Sequence, residues 1–360
     1  MSKHLRFLSF WALGVALFAT QVQAAEGPVQ ITVDTRKTIV KLTKAHLGVG
    51  VAVWDAHMTD DVIPSLIKDA GFGVVRYPGG SYADLYHWKT ATATKGEAAT
   101  IQPKTDFDSF MAMVNKAKAT PLITVNYGSN PEGNGPAEPS EAAEWVHYAN
   151  RVKNYKVKYW EIGNEVYGNG FYNGTPWEVD RHIPDSERDD KRKQNPLMGP
   201  TEYGKRVAMF AREMKKVDPT VKVGAVAAAG GWPEDVEPDW TTNMLKECGD
   251  VVDFVVLHWY GEGKNPAELL ASADKIKPIC EKLRAKVDKV ASPRSKDIAI
   301  WMTEGDAGGH GMQFAGGLFA VDHLFSWWEG GVEHVDWWNL HNGLSKNNQG
   351  LPDDQGMLSS

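Results

Sequence analysis

The sequence predicts an α/β protein folded as a (β/α)₈ barrel, on three observations. Short apolar, strand-like runs alternate with amphipathic, helix-like segments, which favours parallel strands joined by right-handed crossovers. Eight such runs lie between residues 46 and 340, the number that a barrel requires. The first run, "GVGVAVW", lacks the third glycine of a G-x-G-x-x-G phosphate loop, so a doubly wound sheet is the less favoured alternative.

The eight strand candidates share apolar, β-branched and aromatic residues and are bounded by turn-forming residues. In chain order they are residues 46–54, 73–80, 121–128, 157–165, 221–227, 251–261, 297–305 and 334–340. Amphipathic stretches lie between them, with acidic residues early and basic residues late, as the helix dipole favours. The clearest of these are residues 59–71, 106–119, 141–152 and 204–217.

The two ends of the chain suggest additional segments. Residues 1–24 carry Lys3 and Arg6, then an apolar run, then small residues. This pattern is typical of a secretory signal cleaved near Ala24, and the apolar run is short for a membrane span. We therefore expect export to the periplasm or the medium. Residues 25–44 form a predicted N-terminal β segment, because 29–43 alternate like a strand pair.

Residues 45–360 are then the predicted catalytic barrel. Nothing after residue 343 is typical of an eighth helix, so we expect the barrel to be incomplete at its C-terminus. No segment after the signal is long and apolar enough to suggest a membrane span.

Charge and motifs narrow the class of function. The net charge of −7 includes Lys3 and Arg6, so removing residues 1–24 leaves −9, which argues against nucleic acid or anionic membrane as a partner. The chain has no H-E-x-x-H or C-x-x-C motif, no G-x-S-x-G elbow and no phosphate-binding P-loop, so we expect neither metal nor cofactor. Whether Cys248 and Cys280 pair is left open.

Candidate site residues lie where the strand candidates end, because barrel active sites form at the C-terminal ends of the strands. Most of these ends carry a group that can form hydrogen bonds, with aromatic side chains beside them, which is typical of a sugar site. The candidates are Asp55, Arg76, Asn126, Asn164 with Glu165, His258 with Tyr260, Glu304, and Trp338 with Asn339.

Two of these candidates, Glu165 and Glu304, predict the chemistry. They end the fourth and seventh strands, on opposite sides of an eight-stranded ring, and glycoside hydrolysis needs two carboxyl groups flanking one bond. Tyr260 and His258 share a face of the sixth strand by alternation, so Tyr260 could donate a hydrogen bond to Glu304. The alternatives are a helix-capping role for Glu304 and a solvated loop position for Glu165.

The other polar residues on the strands could have structural rather than catalytic roles. Alternation directs Arg76 and Glu161 into the barrel, which predicts a buried ion pair beneath the site rather than catalysis. His258 is either a substrate contact or a hydrogen-bonded structural histidine.

Six segments appear in the order and spacing of a known enzyme group: "RYPGGSYADLYHW", "ITVNYGS", "KYWEIGNEVYG", "VDPTVKVGAVA", "LHWYG" and "WWNLHNG". Together they resemble the α-L-arabinofuranosidases of glycoside hydrolase family 51, in the clan of retaining (β/α)₈ glycosidases. The resemblance covers residues 29–360. It also implies a β-sandwich that accompanies the barrel, to which the N-terminal β segment would contribute a strand.

The resemblance implies a role for each matching residue. Glu165 matches the general acid/base, Glu304 the nucleophile, Tyr260 the residue that orients it, and Asn164 the amide that holds the sugar 2-hydroxyl. Ser81 follows "PGG" where the family pattern has Asn, and Glu304 lies in "TEGD" rather than "DEW". The predicted substrate contacts are Asn164, Tyr260, His258, Asn126, Arg76, Ser81, Asp55 and Trp338.

The expected function is that of a secreted retaining enzyme releasing α-L-arabinofuranosyl groups from plant cell-wall polysaccharide. The partner would be an oligo- or polysaccharide, and the oligomeric state is open. Two alternatives stay open: an endo-acting xylanase or glucanase of the same clan, and a carbohydrate-binding relative without turnover. Residues 169–200 either close a pocket for exo action or wall a groove.

Overall fold

The predicted barrel is confirmed by the computed structural model, which describes residues 32, 34–171, 176–184, 195–228, 239–291, 293–346 and 352–358. Eight parallel strands close into a ring in which strands consecutive along the chain are neighbours and the last pairs with the first. They are β1 Leu47–Gly50, β2 Val74–Tyr77, β3 Thr120–Val125, β4 Tyr159–Ile162, β5 Lys222–Val226, β6 Phe254–His258, β7 Ala299–Glu304 and β8 His334–Trp337. Each strand lies within one of the predicted runs, except that β3 begins at Thr120, one residue before its run.

Helices connect the strands along the chain. They are α1 Ile63–Asp69, α2 Phe107–Ala117, α3 Pro139–His147, α4 Pro200–Val217, α5 Trp240–Cys248, α6 Pro266–Ser272, α7 Ile276–Val290 and α8 Phe314–Glu329. The start of α2 is fixed by Asp106, whose side chain accepts a hydrogen bond from Ser109 N. Helix α4 begins four residues before its predicted start, with Pro200 at the first helical position, where a missing N–H has no cost.

The terminal predictions have different outcomes. Residues 1–24, the predicted signal, lie outside the described residues. Of the predicted strand pair at 29–43, the described residues 34–43 contain a turn and no strand. Beyond β8, residues 338–346 and 352–358 contain a short antiparallel pair, Ser345–Lys346 with Pro352–Asp353, and no helix. Among the described helices, none has the length and apolar character needed to cross a bilayer.

The inside of the barrel places charged groups below the C-terminal mouth. Arg76 on β2 and Glu161 on β4 both point inward, and Arg76 Nε donates to Glu161 Oε2 at 2.7 Å. Thr124 on β3 donates to the same oxygen at 2.7 Å. All three side chains are buried, so the predicted ion pair beneath the site is confirmed. Arg76 directs its other donors to Glu304 and Asn164 in the layer above, whereas Glu161 Oε1 has no hydrogen-bond partner among the described residues.

Candidate active site

Glu165 and Glu304 meet at the mouth of the barrel. Glu304 is the last residue of β7, and Glu165 lies three residues beyond β4. One oxygen of each carboxylate and a ring nitrogen of His258 all lie within 4.8 Å of one another. Glu304 is buried, while the Glu165 side chain keeps 19% of its surface exposed. The structure therefore brings the two predicted carboxyl groups close together, and Glu165 is the one that solvent reaches.

Both oxygens of Glu304 are held by donors. Tyr260 OH donates to Oε1 at 2.5 Å, and Arg76 Nη1 donates to Oε2 at 2.9 Å. A phenol and a guanidinium that bind separate oxygens of one carboxyl group fix the direction in which that group points. The predicted contact between Tyr260 and Glu304 is thus present.

Arg76 joins the two halves of the site. Besides Glu161 and Glu304, it reaches the side chain of Asn164, since Nη2 donates to Asn164 Oδ1 at 2.8 Å. Burial acts to lower the pKa of Arg76, but the charges of Glu161 and Glu304 outweigh it and raise the pKa well above its usual value. With three of its donor groups engaged inside the protein, Arg76 orients other residues, and its predicted direct contact with substrate stays untested.

Glu165 is surrounded by a different set of donors. Oε1 accepts hydrogen bonds from Tyr167 OH and His258 Nδ1, each at 3.1 Å, and Oε2 accepts one from Trp177 Nε1 at 2.9 Å. Burial raises the pKa of Glu165, but the hydrogen bonds from His258 and Trp177 outweigh it, so that its pKa lies below the usual value. The resting site favours the carboxylate, and Glu165 must gain a proton before it can act as an acid.

The segment 176–184 contributes two residues that the sequence analysis did not single out, Trp177 and Glu178. Trp177 N and Glu178 N donate to Gly168 O at 2.9 and 3.0 Å, which docks the segment beside Glu165. A Cβ at position 168 would lie 2.2 Å from the Trp177 ring, so the glycine permits this approach. Adjacent aromatic and acidic residues in the long connection after β4 were the signal that could have found them.

Two predicted contacts, Asn164 and Ser81, converge on Glu178. Asn164 Nδ2 donates to Glu178 Oε1 at 2.9 Å, and Ser81 Oγ donates to the same oxygen at 2.8 Å. Asn164 and Glu178 are buried and Ser81 is half-buried. The three residues form a layer directly beside the carboxylate pair.

The other predicted substrate contacts occupy separate positions. Asn126 is engaged locally, since its side chain donates to Tyr86 O at 3.4 Å and accepts from Ser129 N at 3.0 Å. Asp55 accepts hydrogen bonds from His57 N and His341 Nδ1, each at 2.8 Å. Both side chains are therefore held by protein groups, and their contact with substrate stays a prediction.

Aromatic rings form a wall after β1, β2 and β8. Trp338 is buried and its ring centroid lies 6.0 Å from that of Trp54, which in turn packs edge-on against Tyr82 at 4.6 Å. Aromatic faces of this kind suit the apolar side of a sugar ring.

The groups at this site that could bind a metal ion already have partners in the protein. Within the part of the chain that the structure describes, Glu165, His258 and Glu304 are the group whose geometry could accept one. Each of the four carboxylate oxygens already accepts a hydrogen bond from a protein donor, and Arg76 supplies a positive charge. We assign no metal here, and the absence of cofactors stays a prediction. Cys248 and Cys280 are both free and buried.

Comparison with known proteins supports the resemblance seen in the sequence. The chain is 26% identical over 274 residues to an intracellular exo-α-(1→5)-L-arabinofuranosidase of Acetivibrio thermocellus, covering 68% of this chain and 48% of the relative. It is 25% identical over 260 residues to a protein of the same name from Streptomyces lividans, covering 65% and 35%. No family model matches the chain.

Solved structures agree on the fold. The α-L-arabinofuranosidase of Thermotoga maritima, solved with arabinose, matches with a TM-score of 0.64 at 20% identity, covering 88% of this chain and 66% of that structure. The predicted resemblance to α-L-arabinofuranosidases is confirmed, and the likeness supports a glycoside hydrolase of the (β/α)₈ clan. The chain spans about half or less of the length of these curated relatives.

The expectation of export needs correction. It depended on the amino-terminal pattern of residues 1–24, a local signal of charge and hydropathy. The relatives from Acetivibrio thermocellus and Streptomyces lividans are both named as intracellular enzymes, which overturns the prediction of secretion.

Proposed function

We propose that this chain is the catalytic barrel of a retaining α-L-arabinofuranosidase, with Glu304 as nucleophile and Glu165 as general acid/base. The observation that carries the proposal is the opposed pair of carboxylates, with an oxygen of each within 4.8 Å of the other. Retaining glycosidases hold their two carboxyl groups about 5–5.5 Å apart, whereas inverting enzymes leave room for a water between them. The short separation supports the retaining mechanism.

In the proposed mechanism the two carboxylates have different roles. In the first step, Glu304 attacks the anomeric carbon while Glu165 gives its proton to the departing glycosidic oxygen, which leaves an arabinosyl ester on Glu304. In the second step, Glu165 takes a proton from water, and the water oxygen displaces Glu304 from the anomeric carbon. Tyr260 and Arg76 hold Glu304 through both of its oxygens, so it is aimed before substrate arrives.

The substrate class comes from the relatives, two of which are named as exo-acting on α-(1→5)-linked L-arabinofuranosides. We therefore infer release of terminal α-L-arabinofuranosyl groups from plant cell-wall polysaccharide or its fragments. Trp54, Tyr82 and Trp338 would receive the apolar face of the sugar.

Hydrolysis of 4-nitrophenyl α-L-arabinofuranoside by the purified chain tests the proposal, beside arabinan, arabinoxylan and unsubstituted xylan. We expect release of 4-nitrophenol and of free arabinose, with the anomer detected first by NMR matching that of the substrate. Shortened xylan chains without arabinose would instead indicate an endo-acting enzyme. Binding of arabinan by a folded chain without any hydrolysis would indicate a carbohydrate-binding protein.

The pH dependence should report the contact between His258 and Glu165. His258→Phe keeps a ring but removes the donor 3.1 Å from Glu165 Oε1, the largest of the interactions that lower the pKa of Glu165. That pKa should rise, so the protonated acid persists to higher pH. We expect the alkaline limb of kcat/KM to move to higher pH.

The matched control for this prediction is Thr303→Val. It removes the hydroxyl 3.2 Å from His258 Nε2 and leaves the Nδ1 contact with Glu165 in place, so it should move the limb much less. An alkaline limb that stays fixed, or moves to lower pH, in His258→Phe would contradict the assigned role of His258.

A further inference from the structure

Glu178 occupies an unusual position for a carboxyl group. It is 5% exposed, and its Oε1 accepts two hydrogen bonds, from Ser81 Oγ and Asn164 Nδ2. Among the described residues no N–H or O–H donor reaches its other oxygen, Oε2. A buried carboxylate with one oxygen lacking a donor is costly to maintain in the ionised form. The position suits a carboxylic acid whose proton is on Oε2.

A second buried carboxyl group, Asp84, contacts the same residue as Glu178, since Asp84 Oδ2 accepts from Asn164 N and Glu178 Oε1 accepts from Asn164 Nδ2. A hydrogen bond from Glu178 acts to lower the pKa of Asp84. Each oxygen of Asp84 accepts one hydrogen bond from the backbone, Oδ1 from Tyr127 N at 3.0 Å and Oδ2 from Asn164 N at 2.9 Å, and can accept a further one. Two adjacent buried carboxyl groups share one proton, because ionising both places like charges together. A proton held by Glu178 would then be donated to Asp84.

Asn164 is the residue that this acid pair holds. Its backbone N–H is bound by Asp84, its side-chain NH₂ by Glu178 and its side-chain oxygen by Arg76. Glu165 is the next residue in the chain, so fixing Asn164 fixes the backbone from which Glu165 projects. The pair thus acts on the carboxylate that the proposed mechanism uses as acid and base.

We propose that Glu178 is a positioning residue: as a protonated acid paired with Asp84 it clamps Asn164, and loss of the shared proton releases the clamp and lowers activity. This inference rests on the proposed function for its effect on catalysis. The charged groups that face the pair are Glu165, three residues beyond β4, Arg76 on β2 through Asn164, and Asp180, two residues after Glu178 in the same segment.

The pKa values of Glu178 and Asp84 are both raised, as expected for two buried carboxyl groups that share a proton. Burial, and then the charges of Asp84 and Glu165, raise the pKa of Glu178 well above its usual value. Burial raises the pKa of Asp84 to about 6, against the hydrogen bonds from Asn164 N and Tyr127 N. The pair therefore holds its proton well above the range in which carboxyl groups ordinarily ionise.

The test compares Glu178→Gln and Glu178→Ala with the parent. Glutamine keeps an oxygen that accepts from Ser81 and Asn164, and its NH₂ donates to Asp84 as the acid does, but it cannot lose a proton. Alanine removes the clamp, and we expect a loss in kcat/KM of about 100-fold, as for a small misplacement of a catalytic group. Glutamine should restore most of that loss.

The decisive readout is the ratio of kcat/KM between Glu178→Gln and the parent across pH. Glu165 titrates in both enzymes, but because its charge and that of Glu178 interact, the alkaline limb of each enzyme is fitted for Glu165 before the ratio is taken. If the acid pair controls the clamp, the ratio rises with pH, by about tenfold per pH unit once the pair has lost its proton. A merely structural Glu178 gives a constant ratio, which would overturn the inference. Glu333→Gln, an exposed glutamate just before β8, serves as the control with an unchanged profile.

Stability supplies a readout that does not depend on activity. Because the pKa of Glu178 is raised on folding, its protonated form stabilises the fold at low pH, and that stabilisation is lost as pH rises from the ordinary glutamate range through the folded pKa. The urea midpoint of Glu178→Gln minus that of the parent should therefore increase as pH rises, and this difference should become constant once Glu178 is ionised in the folded parent. A parent without glycosidase activity but with this stability trend would overturn the proposed function alone. An active parent with no trend in either readout would overturn the role of Glu178 alone.

Discussion

Glu304→Ala should reduce kcat on 4-nitrophenyl α-L-arabinofuranoside by about 10⁴-fold or more, since the residue proposed to form the covalent intermediate is then absent. Glu304 is the carboxylate that both Arg76 and Tyr260 hold, at 2.9 and 2.5 Å. Among the described residues, Glu304 is the one carboxylate that accepts hydrogen bonds from both Arg76 and Tyr260. Initial rates, with circular dichroism to confirm folding, measure the effect.

Azide separates a chemical role of Glu304 from a structural one. A small anion that enters the space left by Glu304→Ala attacks the anomeric carbon once, which gives a product of inverted configuration, β-L-arabinofuranosyl azide. Glu161→Gln is the matched control, because Glu161 binds the same arginine from below the site. It should lower the free energy of unfolding and show no rescue by azide. A Glu304→Ala variant that retains a tenth of the parent activity would contradict the assignment.

The barrel could be predicted because its determinants are local and repeated. A parallel strand buried on both faces is a short apolar run, and all eight such runs became barrel strands. The strand pair expected at 29–43 depended on alternation in a single exposed segment, and the described residues 34–43 did not form one. Alternation specifies a strand only where a partner strand and a buried face are available.

The site could be predicted only where strand geometry places the residue. Tyr260 meets Glu304, and Arg76 meets Glu161, because alternation and strand order determine which side chains share the interior. Glu178 was missed because it lies in an irregular connection, where no periodicity tells which way a side chain points. Its partners Ser81 and Asn164 precede it by 97 and 14 residues.

Asn126 shows the opposite case. Its place just after β3 predicts a contact with the sugar, which stays untested, while the turn that follows β3 uses its side-chain oxygen to accept from Ser129 N. Asn side chains commonly satisfy nearby backbone groups in this way, and a sequence does not show which of the two uses the fold selects.

Glu165→Ala should have an effect that depends on the leaving group. Loss of a general acid costs about 10²- to 10⁴-fold in rate, and arabinan, whose departing alkoxide must be protonated, should show the full loss. A 4-nitrophenolate departs with little protonation, so the first step survives better, and the arabinosyl ester on Glu304 accumulates because no base activates water. We expect a burst of 4-nitrophenol followed by a slow steady state.

Azide should then restore the turnover of 4-nitrophenyl α-L-arabinofuranoside by Glu165→Ala, since it attacks the ester on Glu304 without needing a base. The product has undergone two displacements, so it should be α-L-arabinofuranosyl azide. Glu178→Ala serves as the comparison: it is slow because the clamp on Asn164 is lost, but it keeps Glu165 and should not respond to azide. Formation of the β-azide by Glu165→Ala, with the α-azide formed instead by Glu304→Ala, would mean that the two carboxylates have exchanged roles. The hydrogen bonds from Tyr260 and Arg76 would then hold the acid rather than the nucleophile.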